Sequence, residues 1–178
     1  HEEHSLTTTA NEYCESVNNG IIKEDTMKGS PHRTAMLTVH GTHVHIEYSS
    51  PGVKGRIVWG GLVSYDKVWV TGAHQATRVR FYNDVIVNTD TISKGTYALF
   101  TIPGETEWTV ILNKNYDQHL TDEYDQKEDV LRLIVRPETH HFTPRLTYGI
   151  EELEGQGGVI NILWDKMKID FPFKVTGS

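Results

Sequence analysis

The stretch Met167-Lys168-Ile169-Asp170-Phe171-Pro172-Phe173-Lys174-Val175 alternates an apolar residue with a polar residue or proline at every step. Successive side chains of an extended chain point to opposite faces. A period of two therefore puts Met167, Ile169, Phe171, Phe173 and Val175 on one face and Lys168, Asp170, Pro172 and Lys174 on the other. The stretch predicts a half-buried β-strand with one wet face. Pro172 has no N–H to give to a ladder, which places it at an edge or a bulge.

The same period recurs upstream. Leu131, Leu133 and Val135 alternate with Arg132, Ile134 and Arg136; Val79 and Phe81 with Arg78, Arg80 and Tyr82; Val44, Ile46 and Tyr48 with His43, His45 and Glu47. Further strands are predicted over 34–39, 56–59, 67–71, 84–88, 96–102, 107–113, 145–150 and 159–164. Turn signals stand between them: Ser50-Pro51-Gly52, Gly60-Gly61, Asn83-Asp84, Ser93-Lys94-Gly95, Pro103-Gly104 and Gly155-Gln156-Gly157-Gly158. No segment has the pattern of an amphipathic helix; 117–127 is nearly all polar and reads as an excursion or a single turn. About a dozen short strands, each with one apolar face, must pair those faces. The prediction is all-β: a single-domain antiparallel β-sandwich over 29–178, jelly-roll-like or immunoglobulin-like, with a closed barrel as second choice.

Composition narrows the function classes. The 178 residues are 37% hydrophobic and 23% charged, with mean hydropathy −0.45. No apolar run approaches the ~20 residues of a membrane helix, so no membrane span is expected. A net charge of −7 opposes binding to nucleic acid and to anionic surfaces. Residues 1–28 hold six of the acids against two lysines, and are read as an acidic polar N-terminal arm, flexible or loosely docked as a strand. Cys14 is the single cysteine, which excludes an intramolecular disulfide. The chain opens on His1 rather than methionine, and removal of an upstream segment is the expectation.

The common catalytic signatures are absent: no Gly-x-Ser-x-Gly elbow, no phosphate loop, no His-Glu-x-x-His and no Cys-x-x-Cys. Histidine is abundant, ten in all, and densest in His40-Gly41-Thr42-His43-Val44-His45. On a strand His43, His45 and Glu47 share a face, and two imidazoles with a carboxylate are donors that zinc or copper(II) accepts. The plainer alternative is a wet strand face that carries histidines. His140 and His141, being adjacent, are expected on opposite faces.

The second constellation is 48–77, where Lys54, Arg56, Trp59, Tyr65, Trp69, His74 and Gln75 lie among glycines. Glycines permit tight turns, while aromatic rings and a guanidinium supply stacking and bidentate recognition. A small-molecule or glycan ligand would suit Lys54, Arg56, Tyr65, Trp69, His74 and Gln75. A Gly-rich corner with its tryptophans in the core is the alternative.

Several motifs in this region belong together. Ser30-Pro31-His32, Tyr48-Ser49-Ser50-Pro51, Lys54-Gly55-Arg56, Gly61-Leu62-Val63-Ser64-Tyr65 and Val68-Trp69-Val70-Thr71-Gly72-Ala73-His74-Gln75-Ala76-Thr77 are followed by Lys94-Gly95-Thr96-Tyr97, Phe100-Thr101-Ile102-Pro103, Trp108-Thr109-Val110-Ile111, Asp129-Val130-Leu131-Arg132 and Trp164. The set resembles that of a bacterial domain-of-unknown-function family, common in Bacteroidetes and related groups, over roughly 30–175. The resemblance implies an exported protein, periplasmic or at the cell surface, often behind a signal peptide or lipoprotein leader; it implies no activity. Where the family pattern has Arg, Asn and Glu, this chain has Val70, His74 and Gln75, and Ser50 replaces an Arg. A charged ligand of the family loop would therefore bind here poorly or differently.

Two functional expectations result. The first is an exported, non-enzymatic module binding a small ligand or glycan at the Gly-rich segment. There Arg56 would clamp an anion or hydroxyl, Tyr65 and Trp69 would stack, and His74 and Gln75 would set specificity. The second is a zinc or copper protein, or a metal-dependent hydrolase, built on His43 and His45 with Glu47 or His74. A purely structural sandwich is the default if both fail.

Overall fold

The computed structural model describes residues 2–119 and 121–176, with side chains from Thr9 onward. In chain order the elements are α1 (Glu2–Asn18), β1 (His32–Val39), β2 (Thr42–Ser49), β3 (Thr77–Phe81), β4 (Val85–Val87), β5 (Asp90–Ile92), β6 (Gly95–Ile102), β7 (Trp108–Asn113), β8 (Asp129–Val135), β9 (Glu138–Glu152) and β10 (Gly157–Val175). A six-stranded sheet runs β1-β2-β3-β6-β7-β8 and a four-stranded sheet β5-β4-β10-β9. Among the described residues the strands pair antiparallel throughout. The two sheets pack as a sandwich and do not close into a barrel.

The core forms where the alternation predicts. Val44, Ile46, Val79, Phe81, Leu99, Val110 and Leu112 of the first sheet meet Val85, Leu146, Ile160, Ile169, Phe171 and Phe173 of the second, all 3% exposed or less. Pro172 is exposed and falls between the β9 pairing, which reaches Lys168, and the β4 pairing, which starts at Lys174. Tyr148 crosses the core to donate its hydroxyl to Thr71 O at 2.6 Å, and its N–H bonds Tyr48 Oη at 3.2 Å. Burial pushes the Tyr48 hydroxyl up to about 12.

Three sequence expectations need correction. Residues 56–59 and 67–71 are not strands: they belong to an extended loop that packs Val58, Val63 and Val70 against the sheets and joins their ladder only at the isolated bridge Trp69–Thr101. The predicted strands 145–150 and 159–164 are parts of longer ones, and Asp90–Ile92 is an additional strand.

The third correction concerns the acidic leader, which is a helix through Asn18 rather than a loose arm or strand. Ala10, Cys14 and Val17 bury its narrow apolar stripe, at helical spacing. Asn11, Glu15 and Asn18, each one residue later, do the anchoring: Arg33 donates to Asn11 Oδ1 at 2.9 Å and to Glu15 Oε1 at 2.7 Å. Asn18 bonds the Arg145 N–H at 2.9 Å and Thr147 Oγ1 at 2.9 Å, so its amide meets the β9 backbone as a strand would. Gly20, at φ 77°, then turns the chain out of the helix. No described helix is long and apolar enough to cross a membrane.

Candidate functional site

The Gly-rich segment folds mainly as a cover for the core. Trp59 and Trp69 join Trp108 and Trp164, so all four tryptophans of the chain converge with ring centroids 5.1–6.3 Å apart. Arg56 is spent on its own turn, donating to Val53 O at 3.1 Å and Gly52 O at 2.6 Å. Lys54 Nζ donates to Met27 O. Tyr65 is half-buried beside Gly60, where an added Cβ would come within 3.0 Å of its ring. His74 and Gln75 are exposed, with His74 in the left-handed region at φ 66°. Of the six residues expected to bind ligand, Gln75 alone lines one of the cavities described next.

The outer face of the six-stranded sheet is half covered. Over β6 and β7, Ala98, Phe100 and Ile111 are sealed by Val70 and Ala76 and by Tyr124 of the 114–128 excursion. Over β2 and β3 the face is open. Register sets His45 beside Arg80 and Arg80 beside Thr96; one row along, Glu47 stands beside Arg78. Two cavities of about 190 and 120 Å³ share Glu47 and Arg78 and form one groove along this face. Tyr82, Thr96 and Tyr116 bound one end, and His32 and Gln75 the other.

The walls are held firmly. Asn113, buried on β7, accepts from Gln118 Nε2 at 2.9 Å and donates to Asp129 Oδ1 at 2.8 Å, which pins the excursion carrying Tyr116. Arg78 is drawn to that wall, donating to Tyr116 O at 3.0 Å and Asp117 Oδ1 at 2.9 Å. Arg80 lies over the Tyr82 ring, its Cζ 4.2 Å from the centroid, and makes no ion pair among the described residues. His45 Nε2 is buried without a hydrogen-bond partner, 3.9 Å from Glu47 Oε1 and outside hydrogen-bonding reach.

A larger cavity, about 720 Å³, lies among the turns around His40, Asn83, Asp84 and Gln156. Several of its polar groups are already partnered: Asp84 Oδ1 accepts the Lys94 N–H at 2.8 Å, Asn83 Nδ2 donates to Thr42 Oγ1 at 3.3 Å and His40 Nε2 meets Leu153 O at 2.6 Å. It also has no aromatic wall. The smaller groove, with an unpaired guanidinium and an unpartnered imidazole, is the better candidate.

The groove contains the histidine face read from the sequence. His43, His45 and Glu47 do lie on one side of β2, with Val44, Ile46 and Tyr48 buried on the other and the two imidazole centroids 6.2 Å apart. On β3 the cross-strand neighbours of His45 and Glu47 are arginines, however, and His43 makes a T-shaped contact with Tyr82, ring centroids 4.8 Å apart. Among the described residues no three His, Cys, Asp or Glu side chains are grouped to hold a metal ion. The adjacent His140 and His141 rings approach to 3.8 Å rather than standing on opposite faces, because the β9–β10 register is irregular around them. Arg78, Arg80 and Tyr116 were not legible as site residues. The alternation marked the arginines only as the wet face of β3, and Tyr116 lies in an excursion without periodicity.

Residues 30–173 match the family described as "Protein of unknown function (DUF2911)", and the chain belongs to that family. No curated protein and no solved structure matches the chain.

Proposed function

We propose that this chain is a non-catalytic binding module of the bacterial cell envelope that holds a small polyhydroxylated ligand, a glycan or glycan fragment, in the groove over β2 and β3. The observation that carries this reading is the His45 imidazole, whose Nε2 is buried under the groove without a hydrogen-bond partner. A buried polar atom left unpaired is costly unless something outside the chain completes it. Around it, Glu47 and Gln75 offer acceptors and donors to hydroxyls and Thr96 a further hydroxyl, while the Tyr82 and Tyr116 rings, each with an arginine over its face, wall the groove. A shallow groove with a few convergent polar groups suits a small ligand held by its edges. Placement outside the cytoplasm rests on the family resemblance.

The test is a titration of the isotope-labelled chain with neutral and acidic mono- and disaccharides, followed through backbone amide resonances. Shifts centred on His45, Glu47, Arg78 and Thr96 are expected. Shifts confined to 52–66, or none with any sugar, would overturn the assignment.

A further inference from the structure

The two arginines of the groove differ in what remains for them to bind. Arg78 is consumed by Asp117 and the Tyr116 carbonyl. Arg80 has only the Tyr82 ring beneath it. Stacking occupies the face of a guanidinium and leaves its in-plane N–H edge free, and that edge matches a planar carboxylate with two parallel hydrogen bonds. The ring also holds the side chain in one place, so little rotamer freedom remains to be lost on binding. Beside it in the same row stand Thr96, with a hydroxyl donor, and His45, with its unpartnered Nε2.

The other half of the groove has the opposite demand. Glu47 is diagonal to Arg80 across β2 and β3, and its closest ion-pair contact is the 3.9 Å approach of His45. An ionised carboxylate only accepts hydrogen bonds, so Glu47 calls for donors. A sulfate or phosphate would satisfy Arg80 with two oxygens but would leave at least one more anionic oxygen beside Glu47, whereas a carboxylate leaves none. A carboxylate at one end of a ring whose other carbons carry hydroxyls satisfies both.

We infer that the ligand is an acidic sugar of the uronic type, with its carboxylate on Arg80 and Thr96 and its hydroxyls on Glu47 and His45. This rests on the glycan reading above and narrows it to one chemical class.

Calorimetric titration of the full chain with the methyl glycosides of glucuronic and galacturonic acid, and with those of glucose and galactose, tests it. At low ionic strength at least one uronide should bind roughly tenfold or more tightly than its neutral counterpart, and the margin should shrink as salt is added. Arg80→Gln should reduce the uronide to the neutral level. Because Arg80 is exposed and its one cation–π or ion-pair contact among the described residues is the Tyr82 ring, the variant should melt within about 4 °C of the wild type. Equal affinity for uronide and neutral sugar overturns the acidic-sugar inference and leaves the glycan reading standing. A preference that survives Arg80→Gln overturns the role of Arg80. Binding of none of the four overturns both the inference and the reading on which it rests.

Discussion

Arg145 Nε lies 2.7 Å from Asp25 Oδ2 and its Nη2 2.8 Å from Asp25 Oδ1, so a two-pronged pair joins the segment after α1 to the middle of β9. The Arg145 side chain is fully buried, and its remaining N–H groups reach Gly29 O, Ser50 O and Met27 O. Gly52 is what admits the pair: a Cβ there would stand 2.8 Å from Asp25 Oδ2 and 3.0 Å from the Arg145 Cζ. Removing one partner of a buried ion pair leaves the other charged and unsolvated, which costs about 3–5 kcal/mol. Asp25→Asn should therefore lower the stability of the chain by about that amount, read as a reduced midpoint in urea at unchanged slope. A loss below about 1 kcal/mol would mean that Arg145 is satisfied by its carbonyls alone.

The same pair sets an acid limit. Burial pushes the Asp25 carboxyl up, but hydrogen bonds from Arg145 and Tyr13 and the charges of Arg145 and Lys54 outweigh it and hold the carboxyl below its ordinary value of 3.8. A carboxyl that titrates lower in the folded chain than in the unfolded one stabilises the fold at every pH above its unfolded value. That contribution is lost as pH falls through the folded value. The stability difference between the wild type and Asp25→Asn should be flat above about pH 5 and should shrink below about pH 4. Urea unfolding at a series of pH values measures it, and a gap that widens toward acid would reverse the assignment.

Most of the sandwich was legible because its strands have one wet and one dry face, and residues 42–49 and 167–175 bury the side chains that their alternation marks. The leader was not. Among the described side chains its apolar stripe is Ala10, Cys14 and Val17, which does not stand out among threonines and acids, and polar side chains do much of its anchoring to Arg33, Arg145 and Thr147. The extended loop at 56–71 was misread for the opposite reason: Val58, Val63, Val70 and the tryptophans have strand-like composition but bury without a ladder. Of the groove, the sequence showed the β2 face and Gln75 as separate features. Their meeting at Glu47 and Arg78 depends on register and on a loop path that composition does not encode.

The tryptophan cluster gives a graded prediction. Trp164 donates its indole N–H to Pro144 O at 3.2 Å, whereas the Trp59 indole nitrogen is buried without a partner. Phenylalanine keeps much of the ring contact in both places. It removes a made hydrogen bond at Trp164 and an unmade one at Trp59, so Trp164→Phe should be the more damaging by roughly 1 kcal/mol. Unfolding followed by far-ultraviolet circular dichroism avoids the fluorescence change that both variants share. A larger loss from Trp59→Phe would show that its N–H is satisfied in solution.

Gly158 opens the paired part of β10 opposite Glu152, where a Cβ would meet the Phe173 ring at 2.4 Å. Phe173 is itself 3% exposed and packs edge-on against Phe81 at 5.7 Å, so the ring cannot swing into solvent without opening the core. Gly158→Ala is thus an overpacking change and should destabilise by about 1–3 kcal/mol although the backbone there needs no special angle. Phe173→Leu makes room at the same point while leaving a smaller core residue. If the clash is the cause, the Gly158→Ala/Phe173→Leu double variant should be more stable than the sum of the two single losses predicts, with a coupling of at least about 0.5 kcal/mol. Simple additivity would trace the effect of Gly158→Ala to the backbone of the β9–β10 turn instead of the ring.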